Sequence, residues 1–154
     1  MKKFEFTLER LKQYREQTLE TEKGTLAQLR GERNRLQAEL ESILEELARL
    51  NRELSELYTK GTTPLEISLH KRYISAKQQE LHLKRHQILL KDREIERQLE
   101  RVVEATQEVS KLDKLEEHQL EEYRAAEQKE NELFIEEFVS NSDWRKAHTG
   151  EAGA

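Results

Sequence analysis

Cysteine is absent from this chain, and residues that break helices are scarce. Without a thiol there is no disulfide, no thiolate metal site and no cysteine nucleophile. One proline and five glycines in 154 residues leave few points at which a regular element would end. The elements are therefore expected to be long.

Apolar side chains are also few. Hydrophobic residues make up 34% of the chain and aromatic residues 6%, whereas 38% of the residues are charged. This composition is too polar for an ordinary globular core, and the periodicity described below argues against disorder. Neither an apolar run of about 18 residues nor an apolar segment after Lys2 and Lys3 occurs. We therefore expect a cytosolic protein without direct membrane insertion.

Charge is spread unevenly along the chain, whose net charge is −5. Residues 1–60 carry 12 basic and 12 acidic side chains, residues 61–102 carry 9 and 6, and residues 103–154 carry 6 and 14. A mildly basic middle and an acidic C-terminal third suit different protein partners at different places. No concentrated basic surface results, so nucleic acid is not expected as a partner.

A heptad repeat in the first half of the chain is the strongest pattern. Positions alternately four and three residues apart are apolar except for one arginine: Leu29, Arg33, Leu36, Leu40, Ile43, Leu47, Leu50, Leu54 and Leu57. So narrow a stripe on a long helix is buried only against another helix. Phe4, Leu8 and Leu11 place the N-terminal segment on the same face, which predicts a first helix over about 3–59.

The only strong break follows this helix, at about 60–63. Gly61 suits the left-handed residue after a helix, and Thr63-Pro64-Leu65-Glu66 has the form of a capping box with proline at the first helical position. A connection this short makes antiparallel neighbours. The sequence thus predicts an all-α helical hairpin, an antiparallel two-stranded coiled coil whose second helix spans about 64–139.

The second helix carries two apolar stripes. The first repeats every seven residues: Ile67, Ile74, Leu81, Ile88, Ile95, Val102 and Val109. The alternate seam positions are expected four residues after each member of this stripe. These positions are polar before Ile95, and Leu99 and Thr106 occupy them from Ile95 onward. The second stripe, here called the outer stripe, lies about 200° round the helix and consists of Leu69, Tyr73, Ala76, Leu83 and Leu90.

A two-helix hairpin can bury only one of these stripes. We assign the Ile67 series to the seam because it runs without interruption to Val109. The outer stripe then faces solvent as a docking surface, flanked by Lys71, Arg72, Lys77, Lys84 and Arg85. In the alternative, the hairpin rolls so that the first helix contacts both stripes in part.

The second helix is longer than the first and is expected to overhang it. With a turn near Gly61, Phe4 lies opposite a residue near His118, which leaves about 20 residues of helix without a partner. This end is acidic and carries Leu133, Phe134, Ile135, Phe138 and Val139. Asn141-Ser142-Asp143 is expected to end the helix, so that residues 1–140 form the hairpin and residues 141–154 a flexible tail.

No constellation for catalysis is evident. His82 and His86 have the spacing of a two-histidine metal site, but they lie beside Lys84 and Arg85 without a third ligand, and a solvated basic face explains them better. Paired carboxylates are common, yet a two-helix hairpin offers no dry pocket to shift their pKa values. A glycine-rich phosphate loop is also missing. We expect no enzyme, no catalytic residue, no cofactor and no metal.

Both ends of the chain carry recognisable patterns. The N-terminal pattern is Phe4-x-Phe6-x-Leu8-Glu9-x-Leu11-x-x-Tyr14-Arg15-Glu16. The C-terminal one is Lys111-Leu112-Asp113-x-Leu115, followed by Glu121-x-Tyr123-Arg124-x-x-Glu127-x-Lys129-Glu130 and then by Glu136-Glu137-Phe138. Together with the helix lengths and the position of the turn, these patterns resemble the flagellar FliJ proteins of the type III export apparatus.

The resemblance implies a stalk similar to the rotor stalk of rotary ATPases. It implies that the end bearing both termini enters the pore of a hexameric flagellar export ATPase, through Phe4, Leu8, Leu11, Tyr123, Leu133, Phe134 and Phe138. The outer stripe would contact the cytoplasmic domain of the membrane-embedded export gate through Leu69, Tyr73, Leu83 and Leu90. Export chaperones are further implied partners. The chain would be a monomer on its own, in the cytoplasm and peripherally associated with the inner membrane at the flagellar basal body.

Two other functions stay open at this point. The chain could be a static tether that homodimerises through the outer stripe into a four-helix bundle, or a holdase-type chaperone that uses its apolar end. A stalk is expected to be a monomer that raises the turnover of a partner ATPase. A tether is expected to be a stable dimer without that effect, and a holdase to suppress aggregation of unrelated clients.

Overall fold

Two long helices form the whole of the regular structure that the computed structural model describes, which covers residues 2–152 and side chains as far as residue 149. Helix α1 spans Glu9–Lys60 and helix α2 spans Pro64–Ala152. They pack as an antiparallel hairpin, and the described residues contain no strand. The predicted fold class is confirmed. The hairpin divides into two compact units, Thr18–Ala105 and Met1–Gln17 with Thr106–Ala154, which are described separately below.

The turn between the helices is built from local hydrogen bonds. Gly61 has a φ of +81°, a conformation that a residue with a Cβ adopts only at a cost, and its amide donates to the carbonyl of Leu57 at 3.0 Å. At the start of α2 the amide of Glu66 donates to Thr63 Oγ1 at 3.3 Å, so Thr63 is the N-cap. The Glu66 carboxylate accepts a hydrogen bond from the hydroxyl of Thr62. The connection is therefore tight enough to make α1 and α2 neighbours.

The seam of unit Thr18–Ala105 is apolar on the α1 side, as its heptad repeat predicts. Leu36, Leu40, Leu47 and Leu50 are buried, and Leu50 is only 2% exposed. They pack with Ile74, Leu81 and Ile88 from the first stripe of α2. Burial of one such side chain contributes about 1.5–3 kcal/mol. The Ile67 series therefore forms the seam, as assigned from the sequence.

The alternate seam positions of α2 differ from the sequence-based expectation. They fall three residues after the members of the Ile67 series, not four, and are occupied by His70, Lys77, Lys84, Lys91 and Gln98. Leu99 and Thr106 are exposed, so their predicted place at the seam is wrong. Positions three and four residues on lie on the same face of a helix, and apolarity alone favours Leu99. The polar residues take the place because they find partners on α1: the buried Gln98, for example, donates to the carbonyl of Glu22 at 3.0 Å.

In the other unit, the N-terminal segment is not helical from its start. Helix α1 begins at Glu9 and not near Lys3, and residues 2–6 form no helix. A chain outside a helix advances up to about 3.3 Å per residue against about 1.5 Å in a helix, so a non-helical segment can reach further along α2. As a result the Phe4 ring lies 5.5 Å from the ring of Tyr123, centroid to centroid, and not opposite His118.

Helix α2 also runs past the point where the sequence suggests an end. It continues through Asn141-Ser142-Asp143 to Ala152, where a tail was expected from residue 141; the last two tail residues, Gly153 and Ala154, lie outside the described part. Asn, Ser and Asp cost a helix at most about 0.7 kcal/mol each, far less than proline. Near this end, the Thr149 hydroxyl donates to the carbonyl of Arg145 at 2.6 Å, a side-chain bond that a helix accommodates. Within the described residues, no helix is both long and apolar enough to cross a membrane.

Candidate functional site

Charged residues line one edge of the seam in unit Thr18–Ala105 at regular intervals. Four acidic residues of α1, each seven residues from the next, are Glu32, Glu39, Glu46 and Glu53. Four basic residues of α2 with the same spacing are His70, Lys77, Lys84 and Lys91. Because the helices are antiparallel, they meet as Glu32 with Lys91, Glu39 with Lys84, Glu46 with Lys77, and Glu53 with His70. We call these four pairs the charge ladder.

Two of the four pairs are hydrogen-bonded. Lys91 Nζ lies 2.8 Å from Glu32 Oε2, and Lys84 Nζ lies 2.6 Å from Glu39 Oε2. In the third, His70 Nε2 lies 3.4 Å from Glu53 Oε2 and forms no hydrogen bond with any described residue. In the remaining pair, Lys77 bonds to Glu80 of its own helix, and Glu46 acts on it through its charge. The three lysine side chains are only 19–22% exposed. Their aliphatic stems therefore cover the apolar seam while their ammonium groups reach α1.

The ladder shifts the pKa values of its carboxylates. The hydrogen bond from Lys91 lowers the pKa of Glu32 below its ordinary 4.5, and the bond from Lys84 has the same effect on the pKa of Glu39. The pKa of Lys91 is raised, because Glu32 and Glu94 accept hydrogen bonds from it. A second link, between Arg33 Nε and Asp92 Oδ1 at 3.0 Å, satisfies the one charged member of the α1 seam. These contacts fix which face of α2 turns toward α1.

The face left outside carries the outer stripe. Leu69, Tyr73, Leu83 and Leu90, the four residues predicted to contact an export gate, are between 44% and 62% exposed. The Ile67 series is thus the buried stripe, and the outer stripe is the more exposed of the two. An exposed apolar row of this length is typical of a surface that binds another protein.

The cations beside the outer stripe differ in their availability. Lys77 and Lys84 belong to the charge ladder and are engaged by carboxylates. Arg72 follows Leu69 by three residues, and Arg93 and Arg97 follow Leu90 by three and seven, so all three border the stripe. These three arginines are exposed and form no salt bridge with any described residue. Glu80 and Glu94 also border the stripe but bond to Lys77 and Lys91, so the charges at the border that are left for an acidic partner are those of the arginines.

In the unit that holds the N-terminal segment, Lys12 joins the two helices. Its ammonium group lies 2.5 Å from Glu116 Oε2 and 3.3 Å from Asp113 Oδ1, both on α2, and 3.9 Å from Glu16 Oε1 on α1. The hydrogen bond to Glu116 is the main cause of a raised Lys12 pKa. The first turn of α1 is thus held to α2 by charge.

The aromatic residues of this unit form a second attachment. Phe6 is buried, Phe4 is half-buried against Tyr123, and the Tyr123 hydroxyl donates to the backbone carbonyl of Lys2. Leu8 and Leu11, placed at the seam from the sequence, are 36% and 39% exposed, so Phe6 is the residue that was missed. The signal for it was present: Phe4 and Phe6 alternate with polar residues, as in an extended segment.

Beyond Tyr123, the side chains of α2 are turned almost entirely to solvent. We call residues 124–149 the overhang; all of its side chains except Ser142 are exposed. Phe134 and Phe138 are 69% and 68% exposed. With Ile135 and Val139 they form one face of the helix, whereas Leu133 lies on another. Of the seven residues predicted to contact an ATPase, the structure brings Phe4 and Tyr123 together and leaves Leu8, Leu11, Leu133, Phe134 and Phe138 open to solvent.

The whole chain was compared with known protein families, curated proteins and solved structures. A family model described as flagellar FliJ protein matches residues 4–148, nearly the whole chain. The chain belongs to the FliJ family. A search of curated proteins and a search of solved structures each gave no match. FliJ membership implies a role in the flagellar export apparatus, and FliJ is not a known enzyme family. The match includes the turn, the outer stripe and most of the overhang.

The prominent features of this FliJ-family chain are exposed apolar surfaces. In the described part of the chain, no three His, Cys, Asp or Glu residues are placed to hold a metal ion. His82 and His86 are both exposed on α2. What the FliJ chain presents instead are two apolar surfaces of different charge, the outer stripe and the overhang.

Proposed function

We propose that this FliJ-family protein is a non-enzymatic stalk that couples a hexameric flagellar export ATPase to the export gate and so promotes protein export. The proposal is supported chiefly by the overhang, which presents large apolar side chains to solvent at the end of a helix. Exposure of Phe134, Ile135, Phe138 and Val139 is unfavourable in an isolated protein, and aromatic residues of this kind are typical anchors of protein interfaces.

The ATPase contact would use the overhang together with the attached N-terminal segment. Both lie in the same compact unit, where Lys12, Phe4 and Tyr123 hold the segment to α2. This attachment leaves the overhang as a single exposed helix, which suits insertion into a narrow pore. Between residues 127 and 137 the overhang carries five carboxylates and one lysine, so this part is acidic and a basic pore surface would complement it.

The export-gate contact would use the outer stripe in the other unit. Its residues Leu69, Tyr73, Leu83 and Leu90 repeat at the spacing with which one helix packs on another. The three unpaired arginines at its border favour an acidic surface on the gate protein.

The first test is steady-state ATP hydrolysis by the cognate flagellar export ATPase, with and without about 1 µM of the protein. We expect activation by a protein that light scattering shows to be a monomer at that concentration. Phe134→Ala with Phe138→Ala should raise the concentration needed for activation at least about tenfold, since anchors of this kind contribute about 2 kcal/mol or more. Leu99→Ala with Val103→Ala, also exposed and apolar, is the matched control and should activate normally.

The gate contact is tested separately by binding of the purified cytoplasmic domain of the gate protein. Leu69→Ala with Tyr73→Ala should weaken this binding and leave ATPase activation unchanged. The overhang variant should show the opposite behaviour. Loss of both activities in either variant would contradict the assignment of two surfaces, and absence of activation by the unaltered protein would contradict the stalk.

A further inference from the structure

The apolar face of the overhang is bordered by carboxylates. Phe134, Ile135, Phe138 and Val139 occupy one side of the helix, and Glu132, Glu136 and Glu137 project at its two margins. Glu136 and Glu137 are exposed and form no salt bridge with any residue that the structure describes. Over about two turns, α2 is therefore an amphipathic helix with an apolar face and acidic margins.

The outer stripe has the complementary character. It is an apolar row on a helix, and Arg72, Arg93 and Arg97 lie at its border without acidic partners among the described residues. A helix that packs on this row would bring its own margins close to these arginines. Carboxylates at those margins would be attracted, whereas lysines or arginines would be repelled.

Charge decides between the possible contacts of two copies. Two outer stripes packed together would bring arginines of both copies into proximity, and two overhangs packed together would do the same with glutamates. An overhang on an outer stripe buries both apolar faces and pairs opposite charges. A second copy could make three contacts with these surfaces. Only this one is favoured both by apolar burial and by the attraction of opposite charges.

We propose that the overhang of one copy docks on the outer stripe of a second copy. Phe134 and Phe138 would pack on Leu83 and Leu90, which lie about 10 Å apart along α2, with Glu136 and Glu137 facing Arg93 and Arg97. The biological meaning of the contact rests on the proposed function: each contact would cover the ATPase surface of one copy and the gate surface of the other, and a stalk needs both surfaces free to couple its partners. The chain would then be inactive where it is concentrated and become active on dilution or on capture by its partners.

The contact is heterologous, because it joins two different surfaces. An associated pair as a whole keeps one free overhang, on one copy, and one free stripe, on the other, so association can continue beyond a dimer. Its area is smaller than that of a stable interface, and we expect a dissociation constant of about 10–100 µM. A monomer at about 1 µM, as the stalk requires, is consistent with this affinity.

Sedimentation velocity of the full chain, alone and in mixtures, tests the proposal. The overhang variant Phe134→Gln with Phe138→Gln and the stripe variant Leu83→Gln with Leu90→Gln should each be monomeric alone. Mixed, they should form a one-to-one complex, since one supplies an intact stripe and the other an intact overhang. Leu99→Gln with Val103→Gln is the control; Leu99 lies nine residues from Leu90, about 180° round α2, and this variant should associate as the unaltered chain does.

Every other pattern contradicts the proposal. Self-association of the overhang variant alone would indicate a contact between stripes, and self-association of the stripe variant alone would indicate a contact between overhangs. A mixture that stays monomeric, or an unaltered chain that is monomeric at about 500 µM, well above the expected dissociation constant, would show that the contact does not form. Raising NaCl from about 0.05 to about 0.5 M should weaken association at least about threefold, because the screening length shortens.

Circular dichroism provides the folding control, since glutamine favours helix and both altered pairs are exposed. The experiment uses this chain only. A negative result would therefore leave ATPase activation at about 1 µM untouched, and a failure of activation would leave the association measurement valid.

Discussion

Lysine is an unusual residue for the inside of a helical seam, yet three lysines stand there with a histidine at heptad spacing. Each has a carboxylate of α1 at the same level, and Lys84 and Lys91 bond to theirs directly. The centre of the seam is thus apolar, formed by α1 leucines and the Ile67 series. One edge of it is lined by the charged pairs of the ladder. A charge pair adds little when exposed, but a repeated set specifies register, since every pair must match at once.

Reversal of one pair tests this role. Lys84→Glu places a carboxylate against Glu39 and should lower the melting temperature by a few degrees, whereas adding Glu39→Lys should restore most of the loss. Thermal unfolding of the two single variants and the double variant forms a double-mutant cycle. Additive effects in the double variant would show that the two side chains do not interact.

The lowered carboxylate pKa values predict a loss of stability in acid. Glu32 and Glu39 titrate below 4.5 in the folded chain, so their pairs stabilise it fully above that pH and cease to do so as the pH falls through the folded pKa values. Melting temperatures should therefore fall more steeply below about pH 4.5 in the unaltered chain than in Glu32→Gln with Glu39→Gln. Parallel curves for the two proteins would contradict the prediction.

At this scale the sequence was informative about apolar residues and less so about polar ones. The leucines of α1 and the Ile67 series were placed correctly because regular spacing of apolar residues reflects burial. The ladder was missed, since a lysine at the seam looks like a surface residue until its partner on the other helix is known. The exposed Leu8, Leu11 and Leu99 were misplaced for the converse reason, namely that an apolar side chain beside a seam is indistinguishable from one within it.

At the scale of the element, the two glycines inside α1 are sites where the helix can be strengthened. A Cβ built at Gly24 or Gly31 meets nothing within 4 Å, and both residues are helical. Alanine at either position should raise the free energy of unfolding by about 1 kcal/mol. Gly61→Ala is the contrasting variant: φ there is +81°, so the same substitution should destabilise by about 1–2 kcal/mol. Urea denaturation of the three variants measures these changes.

The accuracy of the predicted helix ends depended on how strong the local sequence signals were. The turn has a glycine, a proline and a capping box, and the helices end and begin beside it. The end of α2 was placed too early because Asn141-Ser142-Asp143 is a weak signal without proline or glycine. The start of α1 was placed too early because the Phe4–Leu11 spacing suits a helix, while the tertiary contact of Phe4 with Tyr123 favours an extended segment.

For the whole molecule, stability and proposed binding are located in different residues. The overhang contributes exposed helix and almost no buried surface, so a chain that stops at residue 126 should keep its melting temperature within about 2 °C. Its helical signal at 222 nm should fall in proportion to the residues removed, and activation of the export ATPase should be lost. A large drop in melting temperature would show that the overhang packs on the hairpin.

The binding surfaces were predictable as apolar patches from the sequence, but their partners were not. The family match gives the export apparatus as the setting. Which surface meets which protein depends on the shape and charge of molecules outside this chain, and the roles of Phe134 or Tyr73 therefore stay predictions until those partners are measured.

The pairs of the charge ladder repeat every seven residues along both helices of unit Thr18–Ala105, so the unit is built from equivalent heptads. Removing residues 36–42 and 81–87 together deletes one pair, Glu39 with Lys84, and leaves the other three in register. The same cut takes equal numbers of residues from both helices and does not touch the turn. The unit would then shorten by about 10.5 Å with its remaining seam intact. Matched insertions or deletions of whole heptads in both helices can thus change the length of the hairpin and keep its seam. A matched change of another size would rotate the residues beyond it about the helix axis, and the outer stripe would no longer face one direction.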